Sequence, residues 1–167
     1  MLGRTPRATL DDVAAAAGVG RATVYRHFAR RDQLVEVVYL EALDAIAAAL
    51  RDADLERGDV EDAFDRALTA VLREEVAYRV LARGPMPDLD PQLEARFDAA
   101  IEPVVALARR GVAEGVVDPE LPAHWVADAW SALTLFGLTR VAEEGRSVEE
   151  VASLVRRTFW RGAHTAC

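Results

Sequence analysis

The chain has 167 residues, a net charge of −8, one cysteine and no lysine among its twenty basic residues. That length suffices for one sizeable core with a small appended unit. A single terminal cysteine, no apolar run of membrane length and no charged-then-apolar leader point to a cytoplasmic protein, without disulfides, cysteine-bound metal or membrane span.

The charge is uneven. Residues 1–40 hold six arginines against four acids, +2, while residues 41–167 hold fourteen against twenty-four, −10. A small basic head can meet phosphates while an acidic body discourages indiscriminate adhesion. Within the head, Thr9 is a good N-cap, and Asp11 and Asp12 suit the positive end of a helix dipole. Leu10, Val13, Ala14 and Ala17 recur with helical spacing, and Gly18 follows where a left-handed residue ends a helix. Gly20 opens a second short helix. At about 100° per residue, Val24 and Phe28 face inward, Ala22 and Arg26 outward, and Thr23 and Tyr25 lie on the flanks. Two short helices about a glycine turn, with arginine outward, can present a helix to the DNA major groove. Arg21 can fork onto a guanine, Ala22 can touch a thymine methyl, and Thr23, Tyr25, Arg26 and His27 can hold phosphates. The same geometry also fits a plain helix-packing unit.

A longer composite pattern separates these readings. Thr9-Leu10-Asp11-Asp12-Val13-Ala14, Ala17-Gly18-Val19, Thr23-Val24-Tyr25-Arg26-His27-Phe28 and Arg31-Asp32-Gln33-Leu34 together resemble the DNA-binding head of the tetracycline-repressor (TetR) family. The resemblance implies that Thr9 caps its helix and touches a phosphate, and that Tyr25 and His27 contact the DNA backbone. Arg31 stands where the family has a phosphate-binding lysine, and Gly20 replaces its usual serine cap. Family members carry a full helix before the threonine. Here only Met1 to Ala8 precede it, so the expectation is a truncated first helix and a head that binds operator DNA weakly.

The body reads as further helices, giving an all-α fold: a helix-turn-helix head over residues 1–40 and a helical ligand-binding and dimerisation domain over 41–167. Asp32 to about Asp52 is one long helix joining the two, and Gly58-Asp59 starts another with Val60, Phe64, Leu68, Val71, Leu72 and Val76 inward. Arg83 to Asp88, rich in proline and glycine, is a turn or broken helix. Asp90-Pro91 opens a helix with Leu93, Phe97, Ile101, Val104, Val105 and Ala108 inward and Pro103 as a kink; Gly111 to Pro122 is mostly connection.

Trp125 to Val141 is apolar nearly all round, and Val148 to Gly162 carries a stripe of Val151, Leu154, Val155, Thr158 and Phe159. A helix without a polar face is buried on more than one side. A second copy of the chain accomplishes that through a four-helix seam, with Ala129, Leu133, Phe136, Val151, Leu154, Val155 and Phe159 at the interface. A central core helix in a monomer is the other solution. The family resemblance favours the dimer, which places two recognition helices on two half-sites of a palindrome.

The resemblance also implies a small, apolar effector among the middle helices. Phe64, Tyr78, Phe97, Ile101, Trp125 and Trp130 are the candidate lining, with Met86 on a loop at the mouth. No cofactor and no catalytic site is expected. His27, His124 and His164 form no pair, the adjacent glutamates diverge around their helices, and His164 with Cys167 is too few ligands for a metal. These residues read together as a ligand-responsive DNA-binding regulator, a repressor released from its operator by a small molecule; the alternative is a helical interaction bundle or an enzyme that ignores DNA.

Overall fold

A computed structural model describes residues 8–74, 81 and 91–163. Seven helices are described: α1 (Leu10–Ala17), α2 (Arg21–His27), α3 (Arg31–Asp52), α4 (Val60–Arg73), α5 (Pro91–Ala113), α6 (Ala123–Glu144) and α7 (Val148–Ala163). The expected all-α architecture is the one observed. Residues 1–7, the segment from Arg83 to Asp88, Tyr78, Val76, His164 and Cys167 lie outside the described residues.

The head folds as its local signals require. Thr9 Oγ1 accepts from Asp12 N at 3.2 Å, and Asp12 Oδ2 accepts from Thr9 N at 2.8 Å, a reciprocal cap. The Thr9 backbone and then its hydroxyl hold the Asp12 carboxyl below the usual carboxylate range. Gly18 ends α1 at φ 66°, a left-handed conformation that glycine takes without strain. Gly20 precedes α2 in extended conformation and provides no side-chain cap. A small core of Ala8, Leu10, Ala14, Val24 and Leu34, flanked by Val13, Phe28 and Val38, holds the three helices together. Ala17, expected inside, is exposed, because that core closes over the opposite end of α1.

α3 runs unbroken from head to body. Leu34 and Val38 join the head core, whereas Ile46 and Leu50 join the body core. Between them Tyr39 and Leu43 pack with Leu93 and Ala100 of α5. The turn after α3 is fastened by Arg66, whose Nε donates to the Ala53 carbonyl at 3.0 Å, and by Arg110, which donates to the Leu55 carbonyl at 2.9 Å.

Phe64 anchors the body. Its ring lies 5.1 Å from Phe159, 5.4 Å from Trp160 and 6.4 Å from Trp130, with the Trp160 pair edge-on. Such aromatic groups bury large apolar areas and favour tilted or edge-on contacts. The connection expected over most of Gly111 to Pro122 begins after Ala113, and Val117 within it is fully buried against the core. Two details differ from expectation. Phe97, expected inward on α5, is 41% exposed. The inward stripe of α7 is Val151, Ala152, Val155, Phe159 and Trp160, while Leu154 and Thr158 lie outside. Phe64 engages both Phe159 and Trp160, and that contact rotates the helix relative to the stripe expected from spacing.

α6 and α7 meet closely at Gly137. A Cβ there would stand 2.9 Å from Val151 Cγ1 and 3.0 Å from Val155 Cγ2. Gly137→Ala should therefore lower stability by about 1–2 kcal/mol, overpacking outweighing the gain in helix propensity. Gly162→Ala, with open space around it in α7, should be neutral or slightly stabilising. Urea melts of both variants check the contrast, and a matching loss in both would remove the packing explanation.

Candidate nucleic-acid interface and cavity

The interface follows from the way α2 sits on the head. Val24 alone of its seven residues is buried, so the helix stands proud of the core it is pinned to. Arg21, Ala22, Tyr25, Arg26 and His27 are exposed, Tyr25 by 50%, and Thr23 is half-buried. This is the outward set expected from spacing. Thr9 lies exposed at the N-terminus of α1, where its hydroxyl is shared with Asp12.

Two arginines have partners that spacing did not reveal. Arg21 pairs with Asp11 Oδ2 at 3.1 Å across the α1–α2 turn, which orients its guanidinium at the leading end of α2. Arg31 Nε donates to the Ala8 carbonyl at 2.9 Å, tying the start of α3 to the approach to α1. Gln33 accepts from Ala29 N at 2.9 Å and Arg30 N at 3.3 Å, which fixes how the chain enters α3.

The second site is a cavity of about 300 Å³ between α3, α5 and α6. Phe97, Ile101 and Trp130 line it, as three of the candidates required. Phe64 does not: it is fully buried in the aromatic cluster behind Trp130. Trp125 does not either, being 64% exposed in the first turn of α6, on another side of that helix. Tyr78 and Met86 lie outside the described residues.

Sequence reasoning missed the α3 wall, Tyr39, Leu43, Ile46 and Leu50, and the polar series Asp128, Ser131 and Thr134 on α6. The latter had a visible signal. Three short polar residues, three apart, interrupt a helix otherwise rich in apolar side chains. Burial pushes the Tyr39 hydroxyl pKa up, so the group remains a neutral phenol.

The proposed interface residues divide into two sets. Phe136 and Leu154 are exposed by 59% and 48%, and Ala129 and Leu133 are half-buried. Trp125, Ala129, Ala132 and Phe136 follow one outer stripe of α6 by their spacing. Val151, Val155 and Phe159 instead face the core of their own chain, because α4 and α6 already cover them. They are core residues here, a correction to the expected seam. Among the described residues, no helix is long and apolar enough to cross a membrane, and no group of three or more His, Cys, Asp or Glu could hold a metal.

A family model described as bacterial regulatory proteins, tetR family, matches residues 5–38. The chain is 31% identical over 160 residues to the HTH-type transcriptional repressor LfrR of Mycolicibacterium smegmatis, covering 96% of this chain and 82% of that protein. It is 29% identical over 161 residues to the HTH-type transcriptional regulator NfxB of Pseudomonas aeruginosa, covering 95% and 86%. Among solved structures, the TetR-like regulator LfrR from Mycobacterium smegmatis in complex with proflavine superposes with a TM-score of 0.80 at 28% identity, covering 100% of this chain and 92% of that one.

Proposed function

The chain belongs to the TetR family of bacterial regulatory proteins and is a DNA-binding transcriptional regulator, and from this we propose that it is a cytoplasmic dimeric repressor released from a palindromic operator by a small molecule. The observation that carries the reading is α2: five of its seven side chains are exposed, two of them arginine, on the segment the family model covers. Arg21 and Ala22 read base edges, while Thr9, Thr23, Tyr25, Arg26, His27 and Arg31 hold the sugar-phosphate backbone.

Three further facts support the rest. LfrR is named a repressor, and its solved complex contains proflavine, a small planar molecule. The cavity in this chain is of a size to enclose such a compound, and α3 runs from its wall into the head. The outer stripe of α6 offers an apolar surface to a second copy, and exposed apolar patches of this kind mark association surfaces. An effector acts only through unequal affinity for two head arrangements, so tight binding by itself does not make an inducer.

The test is fluorescence anisotropy with labelled duplexes from the DNA flanking this gene, against unrelated competitor duplex. Specific binding, reversed by an effector, is expected; equal binding to every duplex would overturn the operator reading. Two substitutions separate the roles. Arg21→Ala should cost about 1–3 kcal/mol and relax preference at one base pair per half-site. Arg31→Ala should weaken all duplexes alike and flatten the salt dependence by about one charge per head. Indistinguishable profiles would remove that division of labour.

A further inference from the structure

We propose that Asp11 is a positioning residue for base reading: its carboxylate holds the Arg21 guanidinium by one nitrogen, leaves the other edge free for a base, and makes that guanidinium a poor partner for phosphate. The proposal rests on the reading of Arg21 as a base-contacting residue and adds what decides, for that side chain, between base and backbone.

The two acids in the first turn of α1 have different duties. Asp12 is spent on the cap: its Oδ2 accepts from the Thr9 backbone N–H and from the Thr9 hydroxyl, each at 2.8 Å. Asp11 takes no part in that cap, and its Oδ2 lies 3.1 Å from Arg21 Nη1. Its other oxygen, Oδ1, is buried and meets no hydrogen-bond donor. A carboxylate with one oxygen sealed away has given up part of its hydration, and an opposite charge compensates that loss. Among the described residues, Arg21 is the cation that stands against it.

The pair joins an anchored group to an exposed one. The Asp11 side chain is 36% exposed on a capped helix, whereas that of Arg21 is 74% exposed at the start of α2. The carboxylate is therefore a fixed post against which the longer side chain is held. A guanidinium carries donors on all three nitrogens, and contact through Nη1 leaves Nε and Nη2 as a parallel pair for O6 and N7 of a guanine. A phosphate fares worse at the same place. It brings a negative charge close to the Asp11 carboxylate, and a guanidinium already paired attracts it less. The guanine edge has no net charge and meets no such repulsion. Asp11 thus weakens indiscriminate backbone binding more than base recognition, and specificity is that difference.

The experiment selects a preferred duplex from a randomised pool with the full chain. That duplex, its single-base variants and an unrelated duplex are then titrated by anisotropy at several salt concentrations. The parent is compared with Asp11→Asn, Asp11→Glu, Arg21→Ala and the Asp11→Asn/Arg21→Ala double variant. Asp11→Asn should bind the unrelated duplex about tenfold more tightly, with a salt slope steeper by about one charge per head. Its discrimination at the base pair read by Arg21 should fall about threefold to fivefold, the worth of an exposed ion pair. Asp11→Glu keeps the charge and should restore most of it. The double variant should discriminate no less than Arg21→Ala alone, because Asp11 acts through that side chain. Undiminished discrimination in Asp11→Asn, or a further loss in the double variant, would overturn the positioning role and leave Arg21 as a reader. Weakening of every duplex alike, with a lower melting temperature, would mark a purely structural role and overturn it too. Discrimination that survives Arg21→Ala, or a pool that yields no preferred sequence, would overturn base reading by Arg21 and this proposal with it.

Discussion

Replacing Phe64 with alanine should destabilise the protein by about 3–5 kcal/mol, enough to consume much of the roughly 5–15 kcal/mol that holds a typical domain together. The size follows from the position. Phe64 is fully buried and its ring contacts Phe159, Trp160 and Trp130, so one truncation opens a void that α4, α6 and α7 share. Rigid helices on all sides limit collapse around the hole, which keeps the cavity contribution large. Phe64→Leu, with more of its volume kept, should cost about half as much or less. Urea unfolding followed by circular dichroism gives both values. A loss below about 1 kcal/mol for the alanine variant would mean that the cluster repacks, contrary to the close-packed picture. Trp130 also lines the cavity, so a stable Phe64→Leu variant should shift effector affinity without touching the effector.

Charging the outer stripe should have a larger effect on DNA than any base contact. Phe136→Glu combined with Leu154→Glu places two carboxylates on surfaces that are apolar and exposed in the isolated chain. Neither change disturbs the body core, so thermal stability of the fold itself should hold. In the dimer the glutamates would meet their symmetry mates in a desolvated seam, where like charges repel and lack water. The expected result is a monomer by light scattering at micromolar concentration. Operator affinity should fall by about 10²–10⁴-fold, because the second half-site no longer binds at high effective concentration. Persistence of the dimer would move the seam away from these residues. A monomer that kept full operator affinity would remove the palindrome from the argument.

How much of this was legible in the amino-acid order depended on how local each signal was. The Thr9 cap, the Gly18 terminator and the outward set of α2 are fixed within a few residues, and spacing alone located them. The course of α3 and the start of α4 were equally plain, since unbroken apolar repeats mark the first and the Gly58-Asp59 cap opens the second, but the end of α4 at Arg73 was not. The face of α7 was not legible. Helical spacing permits one inward stripe through Leu154 and Thr158 and another through Ala152 and Trp160, and the choice falls to Phe64 on a distant helix. The cavity wall from α3 was hidden for a related reason. Tyr39, Leu43 and Ile46 look like ordinary core residues, and only three-dimensional placement tells that a space lies beside them. The α6 polar series is visible in the order of residues, but Asp128, Ser131 and Thr134 are few among the apolar side chains of Trp125 to Val141, and spacing alone does not show that they share a cavity wall.

The unbroken course of α3 has one more consequence. No hinge or slack segment separates head from body; a single rod of 22 residues belongs to both. Adding one residue between Val38 and Tyr39 would turn the head by about 100° and advance it by about 1.5 Å. Both heads of a symmetric pair would swing by that amount, and neither recognition helix would face its groove. Helix length here is thus as sequence-specific as a base contact, and a graft of this head onto another body succeeds only when the splice keeps the phase of the turn.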